Sequence, residues 1–203
     1  MAKMKKSSTR IDMTAMCDVS FLLLTFFVLT STAKQPEVHP VDLPASTKET
    51  KIPTEDIITL TVGDENVFIG IAGKEDKKDI LVRMGKEYNI EFTQEELNAF
   101  AGIENFGVDI KEMKGLLAKP AAERMNTDFH KGIPYKDSTN NQLSSWVKNA
   151  RESSWQNKQQ FVKVAIKGDA EEQFGTVKEV VDILQKQRQN RFYLVTGLRN
   201  DDF

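Results

Sequence analysis

Hydrophobic and polar positions divide the chain into three stretches of different character. Residues 15–33, AMCDVSFLLLTFFVLTSTA, are apolar apart from small hydroxyls and one carboxylate, Asp18. A helix from Met13 to Ala33 would rise about 30 Å at roughly 1.5 Å per residue, enough to cross a hydrocarbon core. Residues 34–56 carry Pro36, Pro40, Pro44 and Pro53 among polar neighbours, which predicts an extended linker. Within it Val41 and Leu43 alternate with polar residues, a pattern that suits a solvated spacer and a strand added to a sheet edge equally well.

From residue 57 onward the pattern changes several times. Ile58, Leu60 and Val62 alternate with threonines, Gly63-Asp64-Glu65-Asn66 turns the chain, and Val67-Phe68-Ile69 follows, which predicts a β-hairpin. Thr93 and Glu96 form a capping box ahead of Leu97 and Phe100. Asp109 and Glu112 stand in a similar relation to Met113, Leu116 and Leu117, with Pro120 as the stop. Leu143, Trp146, Val147 and Ala150 fall at helical spacing, and Phe161 to Ile166 has a strand's composition. Thr176 and Glu179 predict the cap of a helix whose Val177, Val180, Val181 and Leu184 form one apolar stripe, before a closing strand from Phe192 to Thr196. The order hairpin, helices, strand, helix, strand predicts an α+β fold, a sheet with helices packed on one face. Trp146 and the stripe belong to its core.

Composition narrows the chemistry. The 203 residues hold 28 Lys plus Arg against 30 Asp plus Glu, so no broad basic face for nucleic acid is expected. One cysteine, Cys17, excludes an internal disulfide framework, and two distant histidines, His39 and His130, offer no cluster for a metal. Gly168-Asp169-Ala170-Glu171-Glu172 is acidic but lacks calcium-loop spacing. With no nucleophile–base signature and no glycine-rich phosphate loop, neither an enzyme nor a cofactor is expected.

The amino-terminal stretch is the informative one. Lys3, Lys5, Lys6 and Arg10 precede the apolar run, and Lys34, Glu37 and Asp42 follow it, which predicts a cytoplasmic amino terminus and an external carboxy-terminal part. A cleaved export signal is the competing reading, supported by the short apolar core and by Ser31 and Ala33, and opposed by Asp18. A carboxylate deep in a bilayer costs about 2.5–3.5 kcal/mol on insertion scales, so such a residue faces a partner or a water path. Thr14, Thr25 and Thr32 share the helical face of Asp18, while Phe21, Leu23, Leu24, Phe26 and Phe27 are expected on the opposite surface. Burial disfavours the charged carboxylate, so a narrow polar stripe with a single acid suits a proton-carrying helix. Placement near a helix start, where the dipole favours an acid, is the milder reading.

The string Ile11-Asp12-Met13-Thr14-Ala15-Met16-Cys17-Asp18-Val19 resembles the start of ExbD/TolR family proteins, I-N-V-T-P-x-x-D-V, whose aspartate is the proton-responsive residue. Val41-Asp42-Leu43-Pro44-Ala45-Ser46 looks like that family's linker motif, V-x-L-P-A-S. Phe174-Gly175-Thr176-Val177-Lys178-Glu179-Val180-Val181-Asp182 resembles its Y-G-T-V-x-x-V-M-D helix start, and Leu194-Val195-Thr196 its last strand. Ala15 replaces the family's proline and Asp12 its asparagine. Residues 74–140 have no counterpart in the short members. The resemblance implies a cytoplasmic segment 1–12, a transmembrane helix 13–33, a linker 34–56 and a periplasmic domain 57–203 with an insert at 74–140. It further implies an inner-membrane motor subunit driven by protons through Asp18, with Thr14 and Thr25 beside it. The implied partners are a second copy of itself, a ring of ExbB-like subunits, membrane lipid and a TonB-like protein, with Val41, Leu43 and Pro44 as candidate partner contacts. A TolR-like role in envelope integrity and a plain anchored or secreted binding module are the alternatives.

Overall fold

The computed structural model describes residues 13–31, 37–46, 53, 55–137, 140–170 and 174–198, without the side chains of Phe174 and Leu198. Two compact units emerge, Met1–Gln35 and Pro36–Phe203. The first contains helix α1, Met13–Thr30, an uninterrupted apolar helix with no buried residue. It rises about 27 Å at 1.5 Å per residue and is long and apolar enough to cross a membrane.

The second unit is α+β and begins with the two-residue strand β1 (Ala45–Ser46). Strands β2 (Ile57–Gly63) and β3 (Asn66–Ile71) form the expected antiparallel hairpin, with Asp64 and Glu65 both at positive φ in its two-residue turn. Helices α2 (Lys74–Tyr88) and α3 (Gln94–Ala101), the short strand β4 (Asn105–Phe106) and helix α4 (Met113–Leu117) follow. Two 3-10 turns lead to helix α5 (Gln142–Lys158), strand β5 (Lys163–Gly168), helix α6 (Phe174–Lys186) and strand β6 (Phe192–Val195). The sheet order is β4-β3-β2-β5-β6, with β2, β5 and β6 mutually parallel. Ile58, Leu60 and Val62, their β3 partners Ile71, Ile69 and Val67, and Val164 and Ile166 all point to one face. They form a single core there with helical residues such as Phe100, Trp146 and Leu184.

Three local expectations are corrected. The Thr93 capping box is present in full, but Glu112 makes no side-chain cap for α4; instead Asp109 Oδ1 accepts from the Lys111 amide at 2.9 Å, an Asx turn. Thr176 is not a cap, because α6 already begins at Phe174 and places Thr176 in its first turn, buried. β5 starts two residues after Phe161, whose exposed ring stacks on that of Trp155 at 5.0 Å. Helix α2 was not expected. It docks on α5 through a polar seam: Ser153 Oγ donates to Asp79 at 2.6 Å, Arg83 to Gln156 at 2.7 Å, and Ser145 and Asn149 to Glu87 at 2.8 and 2.7 Å. Burial alone would raise the Asp79 carboxyl, but hydrogen bonds from Ser153, Arg83 and Asn157 outweigh it and hold the group below its ordinary value.

Trp146 lies at the centre of the core, its ring centroid 4.9 Å from Phe106 and 6.0 Å from Phe100. Its indole N–H is buried without a partner among the described residues. Trp146→Ala is expected to cost about 3–5 kcal/mol, and Trp146→Phe much less, because the smaller ring keeps the contacts and removes the unpaired donor. Chemical denaturation of the full chain in mild detergent measures both. Equal losses in the two variants would mean that the ring contacts do not dominate.

Candidate functional site

Asp18 is the one charged residue of α1, and it is exposed on that helix. At 3.6 residues per turn, Thr14 lies one turn before it and Thr25 two turns after it on the same side. Phe21 and Leu22, three and four residues on, share that side too, so Phe21 does not belong to the opposite surface. The polar stripe is therefore narrow and interrupted by apolar side chains. Leu23, Leu24, Phe26 and Phe27 take the rest of the circumference, while Thr32 and the basic residues Lys3 to Arg10 lie outside the described residues. Thr25 Oγ1 donates to the Leu22 carbonyl at 2.9 Å, and Thr30 Oγ1 to the Phe26 carbonyl at 2.7 Å. Each hydroxyl thus spends its proton on its own helix and presents acceptor lone pairs outward. About 10 Å from Asp18 along the axis, the Thr25 oxygen can accept from a water on the path to the carboxyl, but it cannot donate to one without breaking its backbone bond.

The second candidate region is the segment 37–46, which contains Val41, Leu43 and Pro44. It belongs to the second unit and is docked against the sheet there. Glu37 pairs with Lys167 at the end of β5, and Val38 is wholly buried. The His39 ring stacks on Phe68 at 4.8 Å, with Nε2 3.7 Å from Asp64. The Asp42 carbonyl accepts from the Ala170 amide at 2.7 Å and the Pro44 carbonyl from the Gly197 amide at 3.0 Å. Strand β1 (Ala45–Ser46) then runs parallel to strand β7 (Gly197–Leu198). A side chain at Gly63 would strike the His39 ring within 2.6–2.9 Å, so the segment passes directly over the end of β2. Val41, Leu43 and Pro44 are half-buried. The strand-forming possibility is realised two residues later than the alternation of Val41 and Leu43, at Ala45–Ser46.

Sequence reasoning missed Val38 and Thr127, whose hydroxyl donates to the Val38 carbonyl at 2.9 Å. The one available signal was an apolar residue lodged between Glu37 and His39. Among the described residues no group of acidic, histidine or cysteine side chains could hold a metal.

The family model described as ExbD: Biopolymer transport protein ExbD/TolR matches residues 4–198, a span that includes Asp18, the docked segment and all of residues 74–140. No curated protein and no solved structure shows a significant match to the chain.

Proposed function

Because this chain belongs to the ExbD/TolR family of biopolymer transport proteins, we propose that it couples proton movement across the inner membrane to work done by its carboxy-terminal domain in the periplasm. The observation that carries the reading is Asp18, a single carboxylate on an otherwise apolar helix long enough to span a bilayer. A charge in hydrocarbon is costly, so the ionised group is driven toward a polar path and the neutral form tolerates an apolar surface. A ring of ExbB-like subunits around a pair of such helices would offer the two surfaces in turn. The membrane potential contributes about 2.3 kcal/mol per charge per 100 mV, usable only by a site that alternates between neutral and charged. Thr14 and Thr25 line the route on either side of Asp18.

In this reading residues 1–12 are cytoplasmic, 13–33 cross the membrane, 34–56 link the helix to the domain, and 57–203 act in the periplasm, with 74–140 as an insert. The domain passes force to a TonB-like protein that opens outer-membrane transporters. Edge strand β6 supports strand addition by such a partner, since no further strand pairs with it among the described residues and Phe192 and Leu194 are 36% and 57% exposed. Val41, Leu43 and Pro44 lie on the segment paired to β7 and are the linker contacts that a partner strand would replace.

Isolation of the complex from native membranes tests the proposal. A multi-helix ring subunit and a second copy of this chain are expected to co-purify, and recovery of the chain alone would refute the motor. Orientation has its own test. External protease added to spheroplasts is expected to cut within residues 50–203, and full protection would place the domain on the other side. Reversing the charges at Lys3, Lys5, Lys6 and Arg10 is expected to disturb that pattern.

A further inference from the structure

We infer that residues 119–131 form a clasp that holds the linker on the domain, and that protonation of His130 opens it. The clasp is built on two 3-10 turns, Glu123–Met125 and Thr127–Phe129. The second presents Thr127 Oγ1 to the carbonyl of the buried Val38 at 2.9 Å, the contact by which this stretch grips the linker. His130 fastens both turns to the sheet. Its Nε2 lies 2.6 Å from the Arg124 carbonyl, its Nδ1 3.2 Å from the Gly107 amide beyond β4, and its own amide donates to the Thr127 carbonyl at 2.9 Å. A carbonyl only accepts and an amide N–H only donates, so the imidazole carries its proton on Nε2 and accepts at Nδ1. Adding a second proton turns Nδ1 into a donor facing the Gly107 donor, in a site where His130 is 3% exposed.

The surroundings offer the charged form little compensation. On its own segment the charged residues are Lys119, Glu123, Arg124, Asp128 and Lys131; Arg124 Nε donates to the Lys119 carbonyl, and the Lys119 ammonium lies 4.0 Å from the Phe129 ring centroid. Past β4 the nearest acid in sequence is Asp109, whose carboxylate is held by the Lys111 amide, and β3 contributes no charged residue. In the linker and hairpin turn, Glu37 pairs with Lys167, His39 sits beside Asp64, and Glu65 pairs with Lys136. Burial pushes the His130 imidazole below its ordinary value, opposed by the hydrogen bond to the Arg124 carbonyl. The sign follows. A histidine lowered in the folded state contributes its full stability above about 6.5, and that contribution is lost as pH falls below the unfolded value toward the folded one.

Opening the clasp has a mechanical consequence. With the Thr127–Val38 bond gone, residues 37–41 can peel back as far as the Asp42–Ala170 bond, which stays closed, and once the Glu37–Lys167 pair and the His39–Phe68 stack part the tether gains up to about 17 Å of extended chain. The stretch 74–140 thereby sets the working length of the linker according to external acidity, independently of what Asp18 does.

The test is labelling of Val38→Cys by a maleimide in the full chain in nanodiscs, in a Cys17→Ser background, with Glu152→Cys on the exposed face of α5 as the internal reference. The ratio of the two rates cancels the pH dependence of thiol reactivity. It is expected to be low at pH 7.5 and to rise roughly tenfold or more by pH 5, as loss of a buried hydrogen-bonded contact predicts. His130→Gln keeps one acceptor and one donor without a titrating group, so the ratio should stay low at both values. Thr127→Val should raise it at both while tryptophan fluorescence stays native. A ratio that is flat in the unmodified clasp, or a rise that persists in His130→Gln, overturns the proposal.

Discussion

Exchange of Asp18 for asparagine is expected to leave insertion, abundance and assembly of the complex unchanged and to reduce energised transport to the level of a strain lacking the protein. Asparagine has nearly the volume of aspartate and retains its polarity, so neither the length of α1 nor its apolar surface changes. What it loses is the ability to exist with and without a charge. A site with one fixed protonation state can draw nothing from the membrane potential, whatever its affinity for the ring. Asp18→Glu keeps the charge but moves it outward by one methylene, and an intermediate activity is expected. The assay is uptake of an iron chelate or of vitamin B12 through an outer-membrane transporter, with co-purification of the ring as the assembly control. Should uptake be unaffected while detergent resistance of the envelope collapses, the motor serves the TolR-like pathway instead. Should both survive, Asp18 carries no proton and the anchored binding module becomes the better reading.

The residues on which this prediction rests were legible in the sequence because their signals are local. An apolar run of membrane length, one acid inside it and basic residues before it require no tertiary information. The hairpin was equally plain, since alternation on both sides of Asp64-Glu65 fixes register as well as direction. Legibility failed where the partner lies far away in the chain. Helix α2 is dominated by charged residues, and its apolar set is little more than Ile80, Leu81 and Met84. It is also held by the seam from Asp79, Arg83 and Glu87 to α5, some seventy residues on, which no window of sequence contains. The linker shows the same limit. Its prolines and polar residues read as a spacer, but Val38 is buried and its carbonyl accepts from Thr127, a residue 89 positions later. At Phe161 an apolar residue misled the reading: its aromatic character extended the strand on paper, but in the structure the ring lies outside the strand and stacks on Trp155.

The stretch 74–140 differs in kind from a loop insertion, and its removal is expected to prevent the carboxy-terminal domain from folding. Surface loops tolerate large changes because ring-closure entropy grows slowly with length. This stretch instead supplies nearly half of the buried cluster, including Ile80, Leu81, Met84, Phe100, Phe106 and Leu116. It also provides the edge strand β4 and the buried Lys77, whose ammonium donates to the Ile103 carbonyl at 2.6 Å. Cutting from Lys74 to Asn140 and rejoining the ends would leave Ile69, Ile71, Trp146 and Val147 facing water. Each such side chain forfeits about 1.5–3 kcal/mol, and a domain of this size has only about 5–15 kcal/mol in total. The shortened chain is expected to insert through α1 and then be degraded, with no protease-resistant fragment from the second unit. A stable, cooperatively unfolding product would show instead that β2, β5, β6, α5 and α6 form a sufficient core by themselves. The clasp and the extra helices would then be an attachment that the domain can do without.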